Sequence, residues 1–456
     1  MNRVTSRQRQ TAYLVGIVVL MAPIVWLGMP TTDQSGPLGV IAQKRLQYEL
    51  GEPSLGNVDP ASATMNLVLL GLRGVAANLL WMEADHLKET KNWSQLKSTV
   101  ESIILLQPHF QSVWKFQAWN LGFNVSAECD AVEDRFYWVK EGVKFLHRGA
   151  DRNTKVPELF HDLGDYYGKK IGRSDEKVLF RKYFRSDPDV ERWAGGPDTD
   201  INPDGKDNYM VSKEWYQVAS DKVTQLGVEQ HKMALPIFMT YPYRAQMDFA
   251  NARQEEGQFG DVTREAWATG YREWTEEYGR MDFATPGGMI RFEADDQELK
   301  KMAEEDGVPL EVKIHWLGRY QNMVNYRYWR LRCAVERESE MAEARSELAL
   351  GRRKFEEQEL FEARDSLYSA LEKFQKVVDE WRLPDGTSQL LTDEDQLAET
   401  IIKGILIWKH VLTLVGETQP EEFPMDELWT EPRYESLRLE LQQKFMRWQG
   451  TALQSN

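Results

Sequence analysis

Two glutamate–histidine pairs raise the first chemical question. Glu158 and His161 stand three residues apart in PELFHDLGDYY (157–167), and Glu83 and His86 repeat the spacing in WMEADH. On a helix such positions share a face, so each pair can offer a carboxylate and an imidazole to one metal ion. Two such pairs plus two further helical glutamates build a di-iron site in a four-helix bundle. A calcium candidate lies at DINPDGKDNYMV (200–211). Asp200, Asn202, Asp204 and Gly205 fill positions 1, 3, 5 and 6 of an EF loop, and Asn208 fills position 9. Position 12 should supply a bidentate glutamate and is Val211. That loss removes two of about seven oxygen ligands, and Asx and Gly residues also build ordinary turns, so a structural loop is the favoured reading. No Gly-x-Ser-x-Gly elbow, His-Glu-x-x-His pair, phosphate-cradling Gly-Lys-Ser/Thr loop or Cys-x-x-Cys occurs, and the seven histidines form no cluster. These absences point away from an enzyme and give no reason to expect a cofactor.

The elements that must position these residues are helices. Beyond residue 60, apolar residues recur at three- and four-residue spacing, with few alternating runs. Within 157–167 a second pattern overlaps the metal pair: Phe160, Leu163, Gly164 and Tyr167 follow an aromatic-x2-Leu-Gly-x2-Tyr spacing. Counted in a 34-residue template, that unit starts at Pro157. Trp114, Ala118 and Leu121 fill the same slots from Gln111, and Leu80, Ala84 and Leu87 fill them from residue 77. Leu350, Gly351, Ala363, Leu367 and Ala370 repeat the logic from Ala344, and a fainter match surrounds 249–267. Small residues at Gly164, Gly351, Ala84 and Ala118 let paired helices approach closely. This pattern resembles the tetratricopeptide-repeat family over about half the chain, judged against that family's period. Extra residues around VSAECDAVEDRFYW depart from the strict period. The resemblance implies stacked helix pairs with a concave surface for peptides or partner helices. It also decides the opening question. Glu158 and His161 fall at different template slots from Glu83 and His86, so the pairs face different sides, and His161 is expected on a helix surface.

The net charge is −16, from 72 acidic and 56 basic residues, which argues against nonspecific nucleic-acid binding. Cys129 and Cys333 are too few for a disulfide framework, and whether they pair is open. At the start, MNRVTSRQRQ is basic and TAYLVGIVVLMAPIVWLGM (11–29) is uncharged; its length matches the hydrocarbon thickness of a bilayer. No small-x-small cleavage pattern comes after it, so an uncleaved anchor is favoured over a signal peptide. Basic residues before a span stay inside. The expectation is therefore a single-pass inner-membrane protein with a cytoplasmic N-terminus and a periplasmic bulk. The apolar stretch 65–82 holds Arg73 and runs on into an amphipathic helix, so it is read as part of the soluble body. The segment 399–416 is read as a buried closing helix because it holds Lys403, Lys409 and His410.

The resulting fold expectation is all-α: an N-terminal transmembrane helix followed by an irregular TPR-like α-solenoid with loop insertions. Its parts are a cytoplasmic N-terminus (1–10), anchor (11–29), linker (30–60), helical repeats (61–172), a loop-rich insertion (173–235), a helical hairpin with a second insertion (236–311) and a C-terminal helical region (312–456). The expected function is a membrane-tethered scaffold that docks other envelope or membrane proteins, without nucleic acid, cofactor or metal. Lys115, Asn120 and Asn124 are the groove candidates, with Arg73 as an anion clamp. The competing reading is a small-molecule or glycan receptor using Trp114, Trp119 and Trp138 as a stacking platform; sixteen tryptophans invite it, although core packing is the commoner use.

Overall fold

The computed structural model describes Gly16, Val19, 73–393 and 395–454, with main chain only at 73–76, 392, 393, 395 and 448–454. The chain is mostly helical, which fits the all-α part of the expectation. Its contacts divide it into two compact units.

The first unit holds the described residues of Met1–Tyr166, Ser174–Asp204 and Val218–Gln230. It opens with α1 (Arg73–Glu89) and α2 (Trp93–Leu106). Lys91 takes a left-handed φ of 56°, and the Asn92 side chain accepts the Gln95 amide, so the reversal is tight and the second helix is capped. Next come α3 (Gln111–Trp119), α4 (Val132–Arg152) and α5 (Pro157–Asp165). Pro157 sits at the first turn of α5, where its missing N–H costs nothing. Trp114, Ala118, Phe136, Val143, Leu146, Leu159 and Leu163 close the core. The expected repeat starts at Gln111 and Pro157 are the first residues of α3 and α5. Both helices then widen into π-helical turns, Asn120–Val125 and Tyr166–Ile171.

Within 173–235, expected to be loop-rich, three helices form: α6 (Lys177–Arg185), α7 (Val190–Trp193) and α8 (Asn208–Thr224). Phe180 and Phe184, four residues apart on α6, are both buried. A cation network fixes the segment after α6. Lys140 of α4 lies 2.5 Å from Asp187 and 3.2 Å from Asp198, and Lys144 lies 2.9 Å from Asp198.

The second unit holds Tyr167–Arg173, Gly205–Gln217 and the described residues of His231–Asn456. Helices α9 (Leu235–Glu255) and α10 (Asp261–Arg272) form a hairpin. The second expected insertion contains a β-hairpin, β1 (Phe283–Thr285) with β2 (Gly288–Ile290), paired antiparallel from Phe283–Ile290 to Thr285–Gly288. Buried rings of Trp274, Tyr278, Phe292 and Tyr326 pack beside it. Helices α11 (Asp296–Glu305), α12 (Leu310–Met323) and α13 (Tyr326–Glu336) come next.

The last part is a bundle of α14 (Ser339–Glu356), α15 (Leu360–Glu380) and α17 (Asp395–Val415), with short α16 (Gln389–Asp393) and α18 (Asp426–Thr430), and terminal α19 (Glu435–Gln454). Salt bridges Glu343–Lys373 and Glu340–Lys376 run in opposite order along α14 and α15, so these helices are antiparallel. They touch through Gly351, where an added Cβ would lie 2.6 Å from Leu367 Cγ. Leu367, Leu371, Phe374, Ile401 and Ile405 are fully buried here, each contributing about 1.5–3 kcal/mol by leaving water. The expected closing helix 399–416 is the buried α17, although α18 and α19 lie beyond it in the chain.

The expected anchor at 11–29 lies, apart from Gly16 and Val19, outside the described residues, as do the N-terminus at 1–10 and the linker at 30–60. Among the described residues no helix is long and apolar enough to cross a membrane. The expected transmembrane helix and the single-pass inner-membrane placement are therefore corrected: apolarity and length in the sequence do not by themselves make a span, and no described helix supplies one.

Candidate functional site

The glutamate–histidine pairs do not share an environment. Glu83 and His86 are exposed on α1, whereas Glu158 and His161 are buried on α5. The expectation of a surface histidine at 161 is overturned, since His161 is only 1% exposed. Its Nδ1 lies 3.7 Å from Asp165 Oδ2, one helical turn on. His161, Asp162 and Asp165 bring one potential ligand atom each within 4.8 Å of the others. Lys115 of α3 stands 3.5 Å from Asp162, so one of the carboxylates in that cluster already faces a cation.

Two of the three calcium candidates, Asp200 and Asn202, are engaged within the fold. Asp200 faces Lys144 at 2.9 Å and Arg192 at 3.4 Å, and the Lys144 ammonium holds its carboxyl below the ordinary range. Asn202 is buried and donates to the Phe184 carbonyl at 3.1 Å. Asp204 is exposed, and Val211, at the missing ligand position, is buried.

Three of the groove candidates are likewise used within the fold. Lys115 bridges α3 to α5 through Asp162. Asn120 is buried and accepts a hydrogen bond from Asn124 at 2.9 Å inside the first π turn. Arg73 begins α1, but its side chain lies outside the described residues. The tryptophans do not make one platform. Trp114 is fully buried, with its Nε1 donating to the Pro108 carbonyl at 2.9 Å. Trp119 is exposed and stacks on Phe123, and Trp138 is half-buried against Tyr137. Cys129 and Cys333 are not joined by a disulfide.

The surface that does assemble apolar area with directed charge lies in the C-terminal bundle, where α14, α17 and α19 enclose a groove of about 280 Å³. Its floor is Phe355, Leu406, Ile407, Leu441 and Phe445. Phe355 and Phe445 both pack edge-on or tilted around His410, whose imidazole burial pushes to lower pKa. Three cations line the rim, Arg352, Lys403 and Lys444, against one carboxylate, Glu356. Arg352 is half-buried, and its Nε–H has no acceptor. Burial and the neighbouring Arg345 both depress its pKa, yet a guanidinium stays charged in any protein. Lys403 and Lys444 are exposed and pair with same-helix glutamates, Glu399 at 2.6 Å and Glu440 at 2.5 Å, and Glu399 also acts on Lys444. Exposed i,i+4 pairs of this kind are weak, so an incoming carboxylate can take their place.

Sequence reasoning missed this groove because it reads each helix alone; the signal available was the pairing of lysines with apolar i,i+3 and i,i+4 neighbours on α17 and α19. No family model matches the chain, and no curated protein and no solved structure is similar to it.

Proposed function

We propose that this chain is a non-enzymatic helical-repeat scaffold that binds an acidic amphipathic segment of a partner protein. The carrying observation is the C-terminal groove: an apolar floor rimmed by three cations and one carboxylate on a chain of net charge −16. An apolar floor selects side chains spaced along one face of a helix, and a cationic rim selects Asp or Glu beside them. The volume fits anchoring side chains rather than a whole cofactor, being just below the roughly 300–1,000 Å³ of small-molecule sites. The tetratricopeptide resemblance supports the same reading. The α14–α15 pair closes through Gly351, and the α3 and α5 starts fall in the expected register.

Display of random 16-mer peptides against the immobilised full chain tests this. Selected peptides are expected to carry apolar residues at i and i+3 or i+4 with flanking acids. Lys403→Glu with Lys444→Glu, both at exposed positions, should weaken them about tenfold or more. Failure to select such peptides, or equal affinity for the double variant, refutes the reading.

A further inference from the structure

The second unit contains a polar cleft of about 190 Å³ whose lining residues all belong to that unit. Three cations face it, Lys169, Arg173 and Arg244, against one carboxylate, Asp248. The π-helical turn Tyr166–Ile171 brings Lys169 to its wall, and such turns recur at functional sites because the extra residue re-aims the neighbouring side chains. Arg173 pairs with Asp248. The Arg244 guanidinium sits over Trp329, with Cζ 3.7 Å from the ring centroid. Stacking covers one face of the guanidinium and leaves its in-plane N–H edge for an acceptor. The Arg244 Nε–H is buried and makes no hydrogen bond. Burial depresses the Arg244 pKa, Arg173 and Arg332 push the same way, and Asp248 opposes them. Three cations and one carboxylate thus line the cleft, the carboxylate is already engaged by Arg173, and Arg244 keeps an unused buried donor.

We propose that this cleft binds a small doubly charged oxyanion of the phosphoryl class, with Arg244 as the principal donor and Lys169 closing over it. A buried donor left unmade is costly, and a charged acceptor is its strongest remedy. A lining with three cations to one carboxylate favours a dianion over a monocarboxylate. The volume admits an isolated phosphoryl group and is too small for a whole nucleotide, since drug-sized ligands need about 300 Å³ or more. A stacked arginine can also serve packing alone, and the experiment separates the two. The cleft and the C-terminal groove share no lining residue, so either can fail without the other.

Calorimetric titration of the full chain with inorganic phosphate at low ionic strength is the test, with acetate as the monoanion and Arg244→Gln and Lys169→Gln as variants. Saturable phosphate binding is expected, about tenfold tighter than acetate, falling about tenfold or more in Arg244→Gln and several-fold in Lys169→Gln. Lys169 is exposed, so its variant keeps the fold if loss of the Trp329 stack unfolds Arg244→Gln. No saturable phosphate binding, acetate binding as tightly as phosphate, or unchanged affinity in Lys169→Gln and in any folded Arg244→Gln overturns the assignment.

Discussion

Lys140→Met tests how the segment after α6 is held. In the wild type, Lys140 is 7% exposed at its side chain and bridges Asp187 and Asp198, which are 0% and 2% exposed. The methionine keeps the aliphatic stem and removes the charge. Asp198 retains Lys144 at 2.9 Å, but Asp187 keeps only its acceptance of the Asp189 amide at 3.0 Å. Breaking one side of a buried ion pair costs about 3–5 kcal/mol, because the remaining charge has lost both water and partner. The cost should fall on local opening of 186–202 before it reaches the rest of the unit. The reporters are the Asp187 amide, bonded to the Gly196 carbonyl, and the Asn202 amide, bonded to the Asp198 carbonyl. Native-state hydrogen exchange should accelerate there on the order of 10²–10³-fold. Adding Asp187→Asn removes the stranded charge and should recover much of the protection. Exchange within about threefold of wild type in Lys140→Met, or no recovery in the double variant, refutes the reasoning, since a buried pair that matters must leave its survivor destabilised.

Two further perturbations test the helical scaffold. Burial pushes the His147 imidazole of α4 down to about 4 from 6.5, with Asp151 opposing. The unfolded chain therefore binds the proton first: this contribution is fully present above pH 6.5 and is lost as pH falls towards 4, reaching about 2 kcal/mol lost at pH 5. Urea titrations at pH 7 and pH 5 should show that loss in the wild type and a smaller one in His147→Leu; equal losses count against it. In the α14–α15 pair, Gly351→Ala gains about 1 kcal/mol of helix propensity but sets a methyl 2.6 Å from Leu367 Cγ and 3.0 Å from its backbone nitrogen. Overpacking costs about 1–3 kcal/mol. A net loss is expected in urea denaturation, smaller when Gly351→Ala is made in a Leu367→Ala background than in the wild type, and a net gain from Gly351→Ala alone contradicts the close approach.

Much of the helical skeleton was legible because its signals are local. Pro157 marks the start of α5, the three- and four-residue apolar spacing marks α17, and Gly351 marks a tight pair. The α6 helix was legible too, through Phe180 and Phe184, but the Gly-, Pro- and Asp-rich run after it drew the whole region into a loop reading. His161 was misplaced because template slots say which side a residue faces, not which neighbour covers that side. The π turns carry no composition signal of their own. The cations of the cleft come from 169, 173 and 244, and the groove from three helices of the C-terminal bundle, so only tertiary packing brings either set together.

The overall charge and the two candidate sites fit one electrostatic logic. A chain of net charge −16 repels acidic ligands at long range, yet both concave surfaces gather cations, three to one in the cleft and three to one at the groove rim. At physiological ionic strength a charge is screened beyond about 8 Å, so a ligand inside either surface is governed by the local cations and not by the distant acids. Surface lysines are matched by the abundant glutamates, as at Lys301 with Glu305 and, on the groove rim, Lys403 with Glu399 and Lys444 with Glu440. Arg244 and Arg352 are not matched in that way: each keeps a buried Nε–H without an acceptor, a state that folding alone does not reward. Both side chains line a concave surface, and ligand recognition is the role proposed for them.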